Sequence, residues 1–205
     1  MLKIENFSIS AQDSIVFSLD KFLAENANKV NIVGSNRTGK TIFFRAIHGE
    51  YFDFSGDIYI KEKPPVFYKK RRKTISVESI SHLLPEDSIW KNITLPIVKV
   101  TQGQKEKIPE LCQIAELGEI YGRRVKHLSY SSQKFVELIR AVIQLPYIIL
   151  IDDADSFFDD INLLKMHRIC NFAVENGTTL LVSSKRKLEN FDSYFRIQSK
   201  ELVQI

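Results

Sequence analysis

"KVNIVGSNRTGKTIFFRAIHG", residues 29–49, decides how the chain folds. Its centre fits the pattern G-x-x-x-x-G-K-[ST] at Gly34, Gly39, Lys40 and Thr41. A loop of this pattern turns its backbone N–H groups inward at the positive end of the following helix, and so surrounds phosphate oxygens. The lysine reaches the outer phosphates, and the hydroxyl of Thr41 is placed to ligate Mg²⁺. The plainer alternative is a glycine-rich turn ahead of a helix. Context argues against it: "KVNIV" reads as a short buried strand and "TIFFRAIHG" as a helix stopped by Gly49. Strand, loop and helix are the setting a phosphate cradle requires.

The rest of the chain bounds what that cradle can belong to. At 205 residues it is long enough for one domain with a substantial core, and 44% hydrophobic with 26% charged residues is ordinary for a globular protein. No apolar run approaches the roughly 18 residues of a membrane-spanning helix; "YIILI" is among the longest. The start, "MLKIENFSIS", lacks the apolar stretch of a secretory signal, so a cytoplasmic protein is expected. Cys112 and Cys170 form no C-x-x-C pair and read as reduced core thiols. His48, His82, His127 and His167 have no metal-ligand spacing. Net charge is +4, part of it concentrated in "KKRRK", residues 69–73, after a proline-marked stretch. A solvated loop is the simpler reading of that run, and a phosphate-rich partner the sharper one.

Along the chain, "MLKIENFSIS" and "SIVFSLDKF" alternate partly and read as antiparallel strands, with "SGDIYI" (55–60) a third; after the basic run, "TISVES" is a strand candidate. "SIWKNITLPIV", "KIPELCQIAELGEIYG" and "SSQKFVELIRAVIQL" carry helical spacing. Two fully apolar strands follow, "YIILI" (147–151) and "TTLLVSS" (178–184), separated by the helix "INLLKMHRICNFAVENG". Apolar strands alternating with helices indicate a parallel sheet covered on both faces. The fold expected is α/β: a P-loop core with a mainly parallel sheet, a small antiparallel β-subdomain and a helical subdomain inserted at about residues 80–135, all in one domain spanning 1–205.

"YIILIDD" ends a buried strand in two acids. A carboxylate at the carboxyl end of a parallel strand beside the loop is where the Mg²⁺ of a nucleotide needs a second anchor, which assigns Asp152 to the metal. Asp153 then faces the terminal phosphate as the candidate base for an attacking water.

In this order the elements resemble the ATP-binding subunit of ABC transporters, over essentially the whole chain. "VNIVGSNRTGKTIFFRAIHGEYFDFSGDIYI" resembles that family's Walker A segment and β-subdomain, and "LSYSSQKFVELIRAVIQLPYIILIDDADSFFDD" its signature helix, Walker B strand and D-loop. "LLPEDSIWKNITLPI" is similar to the helical subdomain of small exporter-type subunits, such as the cell-division protein FtsE and the lipoprotein-release ATPases. The resemblance implies ATP and Mg²⁺ as cofactors, held by Gly34, Ser35, Asn36, Arg37, Thr38, Gly39, Lys40, Thr41 and Ile42. Ser129 would be presented to the nucleotide of an opposite subunit. It also implies an integral membrane subunit as partner, a homodimer or a pair with a second ATP-binding subunit, and a place on the cytoplasmic face of the membrane. The partner's docking helix would lie against "SISHLLPEDSIW" (79–90). Nucleic acid is not expected as a partner, although a soluble ATPase acting on it and a pure scaffold are the alternatives.

The departures from the family gather where the terminal phosphate would be read. The signature L-S-G-G-Q is "LSYSS" (128–132), which puts Tyr130 where a glycine lets backbone approach phosphate. The catalytic glutamate is Asp153, the switch histidine is Ser184, and the Q-loop glutamine is Ser79. No aromatic stands at the adenine-stacking position near residue 11; Phe7 and Phe17 are only neighbours. Arg37 replaces a common glycine and is strained if its φ is positive. The expectation is a divergent subunit that binds Mg-ATP, hydrolyses it slowly or not at all, and drives or regulates a membrane partner.

Overall fold

The computed structural model describes residues 1–11 and 14–205. Among these residues nine strands form one twisted sheet in the order β4-β1-β2-β9-β8-β3-β7-β6-β5. One end of it is antiparallel. There β1 (Leu2–Ala11) pairs with both β2 (Ser14–Ala24) and β4 (Ser55–Ile60). The other end is parallel and runs through β3 (Lys29–Val33), β5 (Thr74–Val77), β6 (Ile148–Ile151), β7 (Thr179–Ser184) and β8 (Ser193–Gln198). The expected α/β architecture, mainly parallel with an antiparallel portion, is the one observed.

Side-chain periodicity explains both ends. In β1, Leu2 and Ile4 are buried while Lys3 and Glu5 pair on the other face, 2.8 Å apart. Register against β4 shifts between Glu5 and Ser8, where Asn6 takes a φ of +51°. This bulge returns Phe7 and Ile9 to the buried face. Gly56 faces it with a φ of +88°, and a Cβ there would lie 2.3 Å from the Asn6 carbonyl oxygen, so only glycine fits. In β6 and β7 every residue is buried, as a strand covered on both faces requires. Ile148, Leu150 and Leu181 join one core, with β1, β2 and helix α1 (Lys40–His48). Ile149, Ile151, Leu180 and Val182 join the other, with helices α5 (Tyr130–Val142) and α6 (Asp160–Glu175).

Between β5 and β6 lie α3 (Ile89–Thr94), α4 (Gln102–Ile114) and α5, and α4 opens with a Thr101–Gln104 capping box. No helix in the described residues is long and apolar enough to cross a membrane.

Two features differ from the sequence expectation. The stretch read as a basic loop starts as helix α2 (Pro65–Lys69), since a proline at the first helical position has the required φ already set. Several basic side chains of the run are engaged. Lys69 pairs with Glu50 at 3.0 Å, the Arg71 guanidinium lies 3.7 Å from the Phe67 ring centroid, and Arg72 donates to the Pro96 carbonyl at 2.6 Å. Arg72 thereby straps the edge of the sheet to the helical segment. The second difference is the hairpin of β8 with β9 (Glu201–Gln204), which the sequence reading did not assign. Its turn residues, Ser199 and Lys200, have φ of +50° and +68° without the glycine or asparagine that marks such turns.

Candidate functional site

The loop from Gly34 to Gly39 joins the end of β3 to the start of α1, at the carboxyl edge of the parallel strands. Gly34 is pinned to the neighbouring strand by donating its N–H to the Ser184 carbonyl at 3.0 Å. A Cβ on Gly34 would meet Thr38 Oγ1 at 2.7 Å, and Gly39 sits at φ +100° as the N-cap of α1. Arg37 does take a positive φ, +67°, so the strain expected of a non-glycine residue there is present. Thr38 Oγ1 donates to the Ser35 carbonyl at 2.9 Å and braces the turn.

Lys40 is buried, and its ammonium donates to the carbonyls of Gly34 (2.5 Å) and Ser35 (2.9 Å). Burial pulls its pKa below the ordinary lysine value, against the carboxylates of Asp153, Asp152 and Asp155, which hold the proton on. Thr41 Oγ1 donates to Asp152 Oδ2 at 2.7 Å, and Ser183 Oγ donates to Asp152 Oδ1 at 2.6 Å. Ser183 Oγ in turn accepts the Asp153 N–H at 2.8 Å. Asp153 lies at φ +57°, with Oδ2 accepting from Ser156 Oγ, while its buried Oδ1 has no hydrogen-bond partner.

A cavity of about 530 Å³ gathers these groups. Asn36, Arg37, Thr38, Gly39, Lys40, Thr41, Ile42, Asp152 and Asp153 all line it. Gly34 and Ser35 lie beneath it, their carbonyls capped by Lys40. Ser129 is elsewhere, at the N-cap of α5, where Oγ accepts the Ser132 N–H at 3.2 Å. The loop fits phosphate in its form: a Cβ at Gly34 would push on the Thr38 hydroxyl that braces the turn, and Lys40 with the start of α1 faces the cavity. The Thr41 hydroxyl and the Asp152 carboxylate form an oxygen donor pair suited to a hard cation such as Mg²⁺.

The positions that depart from the family pattern are occupied in specific ways. Ser184 is fully buried, donating to the Arg186 carbonyl at 2.6 Å and accepting from Asn31 Nδ2 at 2.8 Å, so its hydroxyl faces away from the cavity. Tyr130 reaches across to the Q-loop position and donates its hydroxyl to the Ser79 carbonyl at 2.7 Å. Phe7 and Phe17 are buried, with Phe43 of α1 edge-on to both at 5.4 and 5.2 Å, so neither ring is free for a base. The stacking position near residue 11 adjoins residues 12 and 13, which lie outside the described residues.

Several participants carried no sequence signal that the reading used. Ser183 is the link between the two aspartates. Glu78 lines the cavity beside Ser79 and lies 3.7 Å from Arg45. Lys134 and Glu137 of α5, both buried, pair at 2.6 Å; Lys134 also donates to the Glu78 carbonyl at 2.6 Å, and Glu137 accepts the His82 N–H at 2.6 Å. Lys185, just past β7, places Nζ 3.2 Å from Ser156 Oγ and 4.0 Å from Asp153 Oδ2.

Comparison with known proteins bears on the family and the fold. The profile of the ABC transporter family matches residues 20–156. The sn-glycerol-3-phosphate import ATP-binding protein UgpC of Bordetella avium is 30% identical over 148 residues, 67% of this chain, and the chain spans only 41% of UgpC's length. The thiamine import ATP-binding protein ThiQ of Haemophilus influenzae is 25% identical over 189 residues, covering 89% of this chain and 88% of its own. Among solved structures, an ABC transporter ATP-binding protein from Pyrococcus furiosus superposes with a TM-score of 0.82 over 96% of each chain at 22% identity, a likeness of fold. With a family match over well over half of its length and a G-x-x-x-x-G-K-T loop at the carboxyl edge of the parallel strands, this chain belongs to the ABC transporter family.

Proposed function

We propose that the chain is a divergent ATP-binding subunit that takes Mg-ATP in the cradle, hydrolyses it slowly or not at all, and drives or regulates a separate integral membrane subunit. The single observation that carries this reading is a contrast between the residues in one cavity and those around it. Lys40, Thr41 and Asp152 are set for phosphate and cation, whereas Ser184 is turned inward and the carbonyl of Ser79 is taken by Tyr130. When bound, Mg²⁺ would neutralise phosphate charge between Thr41 and Asp152. Asp153, with one unpartnered buried oxygen, is the candidate catalytic residue. Ser129 would serve a second subunit, in a homodimer or a pair with another ATP-binding chain. The chain is read as a single unit, with residues of about 80–135 as its helical part, working at the cytoplasmic face of the membrane. UgpC and ThiQ are named as import ATP-binding proteins, which supports a transport assembly. The likeness of residues 83–97 to FtsE-type subunits supports instead a partner of the cell-division or lipoprotein-release kind.

Equilibrium titration with a fluorescent ATP analogue tests the binding claim. Lys40→Ala is expected to weaken Mg-ATP binding by about 10–100-fold, the worth of a hydrogen bond to a charged group, about 1.5–3 kcal/mol. Absence of saturable binding by the wild type, or equal affinity in the variant, would sink it.

Partner docking is tested on residues 79–90. Leu83 and Ile89 are buried, and Trp90 packs on Tyr121 with ring centroids 5.0 Å apart, so these hold the helical segment together. Ile80 and Leu84 are exposed, 66% and 42%. Leu84→Glu is therefore expected to abolish co-purification with a membrane partner while leaving thermal stability and ATP affinity unchanged. Recovery of the wild type only as a soluble monomer under gentle detergent would remove the membrane-partner reading.

A further inference from the structure

We propose that Lys185 reads the terminal phosphate of a nucleoside triphosphate in this chain, a task that the residue before it has lost. The assignment rests on the nucleotide reading above and adds to it a means of telling tri- from diphosphate. Three observations carry it. First, Ser184 is unavailable: it is fully buried, and its hydroxyl donates to the Arg186 carbonyl while accepting from Asn31. Second, the backbone of Lys185 is fixed, because its N–H donates to the carboxylate of Asp155 at 3.2 and 2.9 Å. That contact ties the end of β7 to the turn that carries Asp153 and Ser156. Third, the side chain is directed along that turn, with Nζ 3.2 Å from Ser156 Oγ and 4.0 Å from Asp153 Oδ2.

Electrostatics place this ammonium in the same field as the loop lysine. Lys185 Nζ lies 4.0 Å from Asp153 Oδ2, and Lys40 lines the same cavity as Asp153, so a cation stands on each arm of the site. The neighbouring guanidinium of Arg186 is occupied by Asp160 and does not compete. A diphosphate is served by the loop N–H groups and Lys40. A third phosphoryl group brings further negative charge toward Asp153; Arg37 and Arg45 line the cavity from the loop and α1, and Lys185 is the cation beside Asp153 that can offset the charge there. The Lys185–Asp153 contact is long and the lysine side chain is 46% exposed, so leaving Asp153 costs little. A lysine on its flexible stem reorients to a phosphate oxygen as a point charge, with no fork geometry to satisfy.

The test compares affinity for ADP with that for a non-hydrolysable ATP analogue, both with Mg²⁺, in wild type, Lys185→Gln and Lys185→Arg, with thermal unfolding to verify folding. The wild type should prefer the triphosphate. Lys185→Gln should lose about tenfold of that preference while its ADP affinity stays unchanged, since a charged contact is lost from the third phosphate alone. Lys185→Arg should retain the preference, because the charge is kept. An unaltered preference in Lys185→Gln, or a wild type without preference, would overturn this assignment and leave nucleotide binding standing. Binding of neither nucleotide by the wild type would overturn the nucleotide reading and this assignment together.

Discussion

Lys134→Met is expected to cost about 3–5 kcal/mol of folding stability, a large fraction of what holds a domain of this size together. Lys134 is fully buried and Glu137 nearly so, one helical turn apart on α5, with their charges at 2.6 Å. Each also serves the segment at the end of β5. Lys134 donates to the Glu78 carbonyl, and Glu137 accepts from the His82 N–H and, at 3.2 Å, from Ser81 Oγ. Arg140 completes the grip by donating to the His82 carbonyl at 3.1 Å. Removing the lysine leaves the Glu137 carboxylate, in a site that water reaches poorly, with only the longer Arg140 contact at 3.8 Å to offset its charge, and that under-compensated charge, rather than the lost attraction, sets the magnitude. The double variant Lys134→Met, Glu137→Leu removes both charges and should recover part of the loss. Recovery stays incomplete, because the His82 N–H and the Glu78 carbonyl then lack partners. Urea unfolding of the three proteins decides it; a single variant within 1 kcal/mol of wild type would show that water reaches the pair.

The same pair shows why the site was only partly legible in the sequence. Local patterns read well. Four motif positions marked the loop, an apolar run marked the strand that ends in Asp152, and the two meet through Thr41 and Asp152 at 2.7 Å. Apolar runs disclosed β6 and, with its Thr and Ser ends, β7, and partial period-two alternation disclosed β1 and β2. What stayed hidden depends on which residues distant in sequence come together. A lysine and a glutamate three apart on a helix normally mark a solvated face. Here 78–82 folds over that face, so the pair is buried, and the sequence carries no mark of it. Ser183 was likewise invisible, an ordinary small residue at a strand end that becomes the bridge between two aspartates. The β8–β9 hairpin escaped for a local reason, since its turn uses Ser199 and Lys200 at positive φ in place of glycine.

Hydrolysis by the isolated chain is expected at or below about 0.1 per second, roughly a hundredfold under the enzymatic median of about 10 per second. Loss of one transition-state contact typically lowers a rate by about 10²–10³-fold, and more than one is missing here, without the losses being additive. Asp153 is a methylene shorter than the family's glutamate, and one of its oxygens is held by Ser156. Ser184 has no free hydroxyl to offer. Tyr130 occupies the signature position and fastens its own chain's Ser79, so backbone cannot approach phosphate there as a glycine would allow. Because Ser184 and Tyr130 remain as they are, Asp153→Glu alone should change the rate by less than about threefold; a single general base contributes about 10²–10⁴-fold only where the water is already positioned. Adding Tyr130→Gly to that variant frees the approach to the signature segment and is the combination expected to raise turnover. Steady-state phosphate release, with Lys40→Ala as the background control, measures all of these. A wild-type rate near 10 per second that disappears in Lys40→Ala would show that Asp153, as it stands, positions water well enough, and that the altered residues around it do not limit the chemistry.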